Sequence, residues 1–232
     1  MFKVFKLKSV MLVLAIMITS VLCSVGIVHA VAKEDVPKPV YTIVIDAGHG
    51  GRDNGCSGSN GSKESEINLD ISKKLQMYLH SLGVRVVMTR LDGNGLYSAN
   101  ADNYKQSDME KRIEIINEAS PDMVISIHQN SYADSSQRGA QVFYREGDDI
   151  SLGFANSVQT QLLSQLTSAR KEANAGDYYI LNECSVPAII VECGYLTNVD
   201  DEQLLMSDDY QSKVAYAIMC GVVKYFDLCG ND

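Results

Sequence analysis

Two of the four histidines follow directly from apolar segments that have the composition of buried strands. His49 follows the run 42–47 and lies in the glycine-rich corner 48–51, and His128 follows the run 123–127. Glycine lets a chain turn where other residues would clash, so the corner presents its imidazole at the carboxyl end of a strand. Open α/β sheets place their chemistry at that end. For either histidine alone, the alternative is a hydrogen-bonded histidine at the edge of the sheet.

Glu64 supplies a carboxylate that could join the two histidines. It begins a predicted helix after the polar loop 53–62, which could fold back over the strand ends. Zinc hydrolases often bind their metal through two histidines and one carboxylate and leave a position for water. His49, Glu64 and His128 fit this formula. An acid that only stabilises the helix N-terminus is the alternative for Glu64.

Glu192 ends the most apolar run in the carboxyl half of the chain, 188–191. Burying an ionised carboxylate without a partner is costly, so a glutamate here needs a cation, a metal-bound water or a proton. A general base beside the water of a zinc site meets that need. An ion pair with Arg90 or Arg112 is the structural alternative. The glycine corner lacks the Gly-Lys-Ser/Thr ending of a phosphate-binding loop, which excludes that class of site.

The hydrophobic pattern predicts strands that alternate with helices. Helical spacing covers 64–82, and it recurs in three later segments; β-branched runs lie between them. This alternation predicts an α/β fold with a mostly parallel sheet covered on both faces. The predicted strands are 42–47, 84–88, 123–127, 140–144, 178–181 and 188–191, and the predicted helices are 64–82, about 109–117, 152–166 and 210–226.

The amino terminus has the layout of an export signal. Three lysines lie in residues 1–8, residues 9–28 are almost continuously apolar, and Val28-His29-Ala30 could be a cleavage site. We therefore predict a signal peptide or membrane anchor over 1–30 and a linker over 31–40. A buried amino-terminal helix is the alternative interpretation.

Charge and cysteine content exclude several classes of protein. Residues 1–30 hold three lysines and no acid, so their removal would change the net charge from −9 to −12. This acidic balance argues against a nucleic-acid partner, because phosphates are bound by lysine and arginine. Five cysteines follow residue 30, an odd number without a CxxC pair, and we expect buried free thiols.

Several separated motifs, in the same order, resemble the zinc-dependent N-acetylmuramoyl-L-alanine amidases of the Amidase_3 type. The resemblance runs from about Tyr41 to Phe226 and predicts a catalytic domain over 41–229. The matching stretches are IDAGHGGRDNG at 45–55, ESEINL at 64–69, MTR at 88–90, RIEIIN at 112–117, SIHQN at 126–130 and VECGYLTN at 191–198.

The resemblance implies a zinc ion bound by His49, Glu64 and His128, with Glu192 as the catalytic acid and base. It also implies a three-layer α/β/α sandwich around a mostly parallel, roughly six-stranded sheet. The substrate would be peptidoglycan, cut between N-acetylmuramic acid and L-alanine. Asn130 and Arg90, in two of the matching motifs, are candidate substrate-binding residues.

One departure from the family pattern concerns the start of the first helix. Family members commonly have Glu-Lys there, whereas this chain has Glu64-Ser65, and Glu66 is a rival metal ligand. The offset to Asn68-Leu69 favours Glu64.

The resemblance also carries expectations about role and partners. A lone catalytic domain behind an export segment most resembles the sporulation amidases of the family, which help to form muramic-δ-lactam in the spore cortex by stripping stem peptides. We therefore expect action at the cell wall or in the forespore intermembrane space, with an accessory or membrane-anchored regulatory protein as partner. Two alternatives are a zinc peptidase acting within the stem peptide and a non-catalytic wall-binding regulator.

Overall fold

The computed structural model describes residues 11, 14, 16–20 and 41–228. The described residues before position 21 are helical. The predicted cleavage site and the linker 31–40 lie outside the described residues, as does the predicted domain end at residue 229. In the described part of the chain, no helix is both long and apolar enough to cross a membrane.

A six-stranded sheet forms the centre of the domain, with the strand order β2-β1-β3-β6-β4-β5. The four strands β2, β1, β3 and β6 are parallel to one another, β4 is antiparallel to β6, and β5 is parallel to β4. The strands are β1 (Thr42–Ala47), β2 (Arg85–Met88), β3 (Met123–Asn130), β4 (Gln141–Tyr144), β5 (Asn174–Ala175) and β6 (Ala188–Tyr195).

Helices cover both faces of this sheet, which confirms the predicted α/β architecture. Side chains alternate along β1: Ile43 and Ile45 join the larger core cluster, and Val44 joins the smaller one on the opposite face. The first, third and last helices contribute to the larger cluster, and the second and fourth to the smaller one. The helices are α1 (Glu64–Ser81), α2 (Tyr104–Ala119), α3 (Asp149–Gln165), α4 (Tyr179–Glu183), α5 (Val199–Leu205) and α6 (Asp208–Phe226).

The prediction of a strand over 178–181 was wrong. Residues Tyr179–Glu183 form the short helix α4, and the edge strand is the dipeptide Asn174–Ala175. A short apolar run does not distinguish a strand from a helical turn. Here Ile180 and Leu181 are buried in the smaller core cluster on one face of the sheet.

The structure also contains one helix that was not predicted, two strands that are longer than predicted, and cysteines whose burial can now be stated. The helix α5 was not predicted. The strands β3 and β6 extend beyond the predicted ends, so His128 and Glu192 lie within paired strands and face each other in register. The described cysteines are free thiols, two of them buried (Cys184 and Cys193) and two half-buried (Cys56 and Cys220).

A buried ion pair between Asp46 and Arg112 ties β1 to α2 directly below the glycine corner. Both side chains are almost fully buried, and Thr89 and Ser126 also donate hydrogen bonds to Asp46. Burial raises the pKa of Asp46, but Arg112 and Ser126 outweigh it and lower the pKa to about 2. Arg112 also pairs with Asp108 on its own helix. Every charge in this cluster therefore has a partner.

We expect Asp46→Asn to destabilise the domain by about 3 kcal/mol, because it leaves part of the buried charge of Arg112 uncompensated. The folded pKa of Asp46 lies below its usual value of 3.8. Its stabilising contribution is therefore complete above about pH 4 and is lost as the pH falls toward 2. Denaturant unfolding of both proteins between pH 2 and 7 measures this.

The matched control is Glu114→Gln, which removes an exposed pair with Lys111 and should change stability little. Equal stability of Asp46→Asn and the control at pH 7 would contradict this account of the buried pair.

Candidate metal centre and active site

The corner after β1 is held in an unusual backbone conformation. His49 has a φ of 61°, and Gly50 and Gly51 also have positive φ values of 137° and 62°. Arg112 donates to the carbonyl of His49. A non-glycine residue with positive φ is uncommon, and such residues cluster at functional sites. The corner is therefore a fixed support for the His49 imidazole.

Arg90 supports the same corner from below. Its side chain is buried and donates to the backbone carbonyls of Ala47, Gly48, Ser65 and Asp92. All three guanidinium nitrogens are engaged in this way, and Arg90 joins the end of β1 to the start of α1. Its position therefore favours a structural role over the predicted contact with substrate.

His49, Glu64 and His128 are brought together from three different elements. His49 Nε2 lies 3.2 Å from Glu64 Oε1, and His128 Nδ1 lies 2.8 Å from the same oxygen. One potential ligand atom from each residue lies within 4.8 Å of the other two. The three residues could therefore hold a metal ion.

The surroundings of Glu64 fit a metal ligand better than a helix-capping acid. The backbone amide of Cys56 donates to Oε2, and the backbone amide of Gln129 donates to Oε1. Asn68 binds the same carboxylate more weakly, at 3.4 Å. These donors come from three separate elements and fix the orientation of the carboxylate. The other potential metal ligands beside it are two imidazole nitrogens. One carboxylate and two imidazoles are a ligand set typical of zinc hydrolases.

Two glycines are needed where this cluster packs against the corner. A Cβ atom at Gly48 would lie 2.3 Å from the His128 ring, and one at Gly55 would lie 2.3 Å from Glu64 Oε2. Gly55 also has a φ of 68°. No other residue type could occupy either position without displacing a member of the His49, Glu64 and His128 group.

Asp53 orients the His49 ring. Its Oδ2 lies 2.8 Å from His49 Nδ1, which leaves Nε2 facing Glu64. A carboxylate on the outer nitrogen is the usual partner of a metal-binding histidine. Burial lowers the pKa of His49, but Glu64 and Asp53 outweigh it and raise the pKa to about 9. The two histidines in turn hold the pKa of Glu64 far below its usual range, against the effect of burial.

Glu192 faces the same site from β6. It is 7% exposed, and its Oε2 has no hydrogen-bond partner among the described residues. Burial raises the pKa of Glu192 to about 7; Glu64 raises it too, whereas the histidines oppose the shift. Since Arg112 pairs with Asp46 and Asp108, and Arg90 binds carbonyls, the alternative of an ion pair with either arginine fails.

An open groove of about 350 Å³ contains these side chains. Asn130 lies on its wall, half-buried, and its Oδ1 accepts a hydrogen bond from the Ser131 amide. Glu66, the rival ligand, is instead 66% exposed and pairs with Lys63 at the surface. The lining residues are His49, Glu64, His128, Gln129, Asn130, Ser131, Tyr178, Ile190 and Glu192.

The model of the N-acetylmuramoyl-L-alanine amidase family, Amidase_3, matches residues 43–224. The chain belongs to this family. Among its relatives is the germination-specific N-acetylmuramoyl-L-alanine amidase of Bacillus subtilis, which is 31% identical over 193 residues, or 82% of this chain and 81% of that protein. An uncharacterized protein of the same organism, YqiI, is 32% identical over 89% of this chain and 95% of its own length.

Solved amidase structures share the fold. The CwlD amidase of Clostridioides difficile, solved in complex with the GerS lipoprotein, has a TM-score of 0.77 and 32% sequence identity. The alignment covers 81% of this chain and 98% of that one. The likeness therefore extends over almost the whole of that solved chain.

Sequence reasoning about this amidase missed the groups that support the predicted ligands. Asp53 and Asn68 lie in motifs that carry the resemblance, but nothing in the sequence indicated that they contact His49 and Glu64. The amides of Cys56 and Gln129 are backbone groups and leave no signal in residue type. Tyr178, which lines the groove, was hidden by the wrong strand prediction.

We expect Gly55→Ala to weaken zinc binding to the amidase by about 10-fold or more, because its Cβ would displace Glu64 Oε2. Gly61→Ala is the matched control. It lies in the same loop and also has a positive φ, 83°, but its Cβ would meet no described atom within 4 Å. Competition with a chromogenic chelator measures the zinc dissociation constant.

Both variants carry the cost of an alanine with positive φ, on the order of 1 kcal/mol. Only the first places an atom against the ligand group. Wild-type zinc affinity of Gly55→Ala would therefore contradict the assignment of Glu64 to the metal site.

Proposed function

We propose that this amidase is a zinc-dependent hydrolase that cleaves the amide between N-acetylmuramic acid and L-alanine in peptidoglycan. The observation that carries the proposal is the cluster of His49, Glu64 and His128, in a groove open to solvent, opposite Glu192, whose Oε2 has no hydrogen-bond partner among the described residues. Membership of the amidase family supports the identity of the bond.

The ligand set would be His49, Glu64 and His128, with Asp53 orienting the first imidazole. When bound there, zinc supplies Lewis-acid polarisation of the scissile carbonyl and lowers the pKa of water. The surrounding amides keep the Glu64 carboxylate in place during the reaction, because each of its oxygens accepts at least one backbone hydrogen bond.

Glu192 would move the proton. Its pKa near 7 suits a group that accepts a proton from the attacking water and then donates it to the leaving nitrogen of L-alanine. Its Oε2, which has no partner among the residues that the structure describes, is available for this exchange. We assign Asn130, on the groove wall, to substrate binding through its side-chain amide.

The test is Glu192→Gln on purified peptidoglycan. We expect a loss of about 10²- to 10⁴-fold in turnover, the usual contribution of a general acid and base, with one zinc ion per chain retained. Glu146→Gln, an exposed glutamate outside the groove, should keep full activity. Turnover is followed by mass spectrometry of the released products.

The products distinguish this reaction from the alternatives. An amidase releases intact peptides that begin with alanine and leaves peptide-free glycan strands. Fragments cut within the stem peptide would indicate a peptidase, and no release by the zinc-loaded wild type would indicate a wall-binding regulator. Undiminished turnover of Glu192→Gln would remove Glu192 from the mechanism.

The narrower role that we propose is in the spore cortex, where stem-peptide removal leads to muramic-δ-lactam and hence germination. A germination-specific relative and the CwlD structure support this assignment. The complex of that CwlD with a lipoprotein supports an accessory partner here, outside the cytoplasmic membrane. Full zinc occupancy and full activity of the purified chain alone would contradict the need for such a partner.

A further inference from the structure

Glu202 is a buried carboxylate that the reaction does not use. It lies on α5 with no exposed surface, and no lysine or arginine in the described part of the chain pairs with it. An ionised carboxylate in such a place requires several hydrogen-bond donors. The structure supplies them all from one distant segment, the loop between β1 and α1.

Each oxygen of Glu202 accepts hydrogen bonds from this loop. Oε1 accepts from the backbone N–H of Asn60 at 2.9 Å and from Ser62 Oγ at 2.7 Å. Oε2 accepts from Ser59 Oγ at 2.8 Å and from Asn60 Nδ2 at 3.0 Å. Burial raises the pKa of Glu202, but these donors outweigh it and hold the pKa below its usual value. The loop is thereby anchored to a helix about 140 residues away in sequence.

The fit between the loop and the carboxylate is close. A Cβ atom at Gly58 would lie 2.0 Å from Glu202 Oε1, so the backbone of the loop passes directly over the carboxylate. The loop is polar, contains Gly58 and Gly61, and closes on itself through two backbone hydrogen bonds, from the Gly58 amide to the Ser62 carbonyl and from the Gly61 amide to the Gly58 carbonyl. These bonds fix its internal turn, and Glu202 ties that turn to α5. Glycine-rich segments have high conformational entropy unless something holds them.

The two ends of this loop are parts of the candidate metal centre. At one end, Gly55 packs against Glu64 and the Cys56 amide donates to Glu64 Oε2. At the other end, Ser57 pairs with Lys63, and the next residue is Glu64 itself. A loop that moved would therefore carry both a metal ligand and one of the donors that orients it.

We infer that Glu202 is a positioning residue, which anchors the loop 57–62 and thereby holds Glu64 in the geometry that binds metal. The inference rests on the proposed function, because it assigns Glu64 to a zinc site. It predicts that loss of the anchor weakens zinc binding while the sheet stays intact. Glu202 contacts neither the metal group nor the groove, so it acts only through the loop.

The test is Glu202→Gln. Both oxygens of Glu202 accept from the backbone N–H of Asn60, at 2.9 Å and 3.2 Å. That N–H cannot become an acceptor, so the glutamine loses at least one of these bonds whichever oxygen its NH₂ replaces. The matched control is Asp200→Asn on the same helix. Asp200 is 71% exposed and, within the described part of the chain, pairs only with Arg138.

Two measurements are made on the full chain. We expect the zinc dissociation constant of Glu202→Gln to rise by about 10-fold, because the released loop would loosen the Cys56 amide that orients Glu64, and loss of a group bonded to a metal ligand has at least this effect. Hydrogen exchange should accelerate at the amides of residues 56–62 and stay unchanged in β1, β3 and β6. The control should leave both quantities at their wild-type values.

The outcomes separate the possible roles of Glu202. Faster exchange in the loop with unchanged zinc affinity, or unchanged exchange in the loop, would overturn the inference. If Glu202→Gln does not fold, the double variant Ser59→Ala/Ser62→Ala removes two donors from the loop side, and the same two measurements decide. A wild-type chain that binds no zinc would instead overturn the proposed function, whereas the exchange comparison would still report on the anchor.

Discussion

The contact of one carboxylate with two imidazoles is the interaction on which the site depends. Glu64 is 3% exposed, and its Oε1 lies within 3.2 Å of a nitrogen from both His49 and His128. A charge buried to this degree persists only when it is paired and hydrogen-bonded. The corner, the loop and the first turn of α1 all contribute to meeting that requirement, and a metal ion bound by the three side chains would complete it.

Most of the buried charged side chains around the site help to hold these three residues in place. Arg90 and Arg112 lie under the corner and hold its carbonyls, Asp46 neutralises Arg112, and Asp53 fixes the His49 ring. Asp46 lies in β1 and Arg112 in α2, whereas Arg90 and Asp53 lie in the segments that follow β2 and the glycine corner. The strands β1 and β3, the helices α1 and α2 and the loop before α1 therefore act together to position the three candidate ligands, as accurate positioning of a reactive group requires.

The sequence predicted the parts of the fold that follow from the spacing of apolar residues and from residue composition. The apolar runs before His49 and Glu192 indicated buried parallel strands, and these lie next to β3 at the centre of the sheet. The gathering of His49, Glu64 and His128 followed from strand ends that share one edge, together with a helix start beyond a loop. Because this reasoning uses only element type and order, it could be applied without coordinates.

Other features depended on tertiary contacts that residue types do not report. The apolar residues of α4 suit a strand as well as a helical turn, and only packing against one face of the sheet distinguishes the two. Arg90 has the chemistry of a substrate ligand, but its neighbours are four backbone carbonyls. Glu202 is one of several acids at the start of α5, and its role depends on a loop that is distant in sequence.

X-ray absorption at the zinc edge of the zinc-loaded protein tests the central claim most directly. A site formed by His49, Glu64 and His128 predicts only nitrogen and oxygen neighbours at about 2.0–2.2 Å, with the scattering pattern of two imidazoles. The thiol of Cys56 lies close by, with its Sγ 3.5 Å from the carbonyl of Gln129. A sulfur neighbour at about 2.3 Å, or the signal of a single imidazole, would contradict the account.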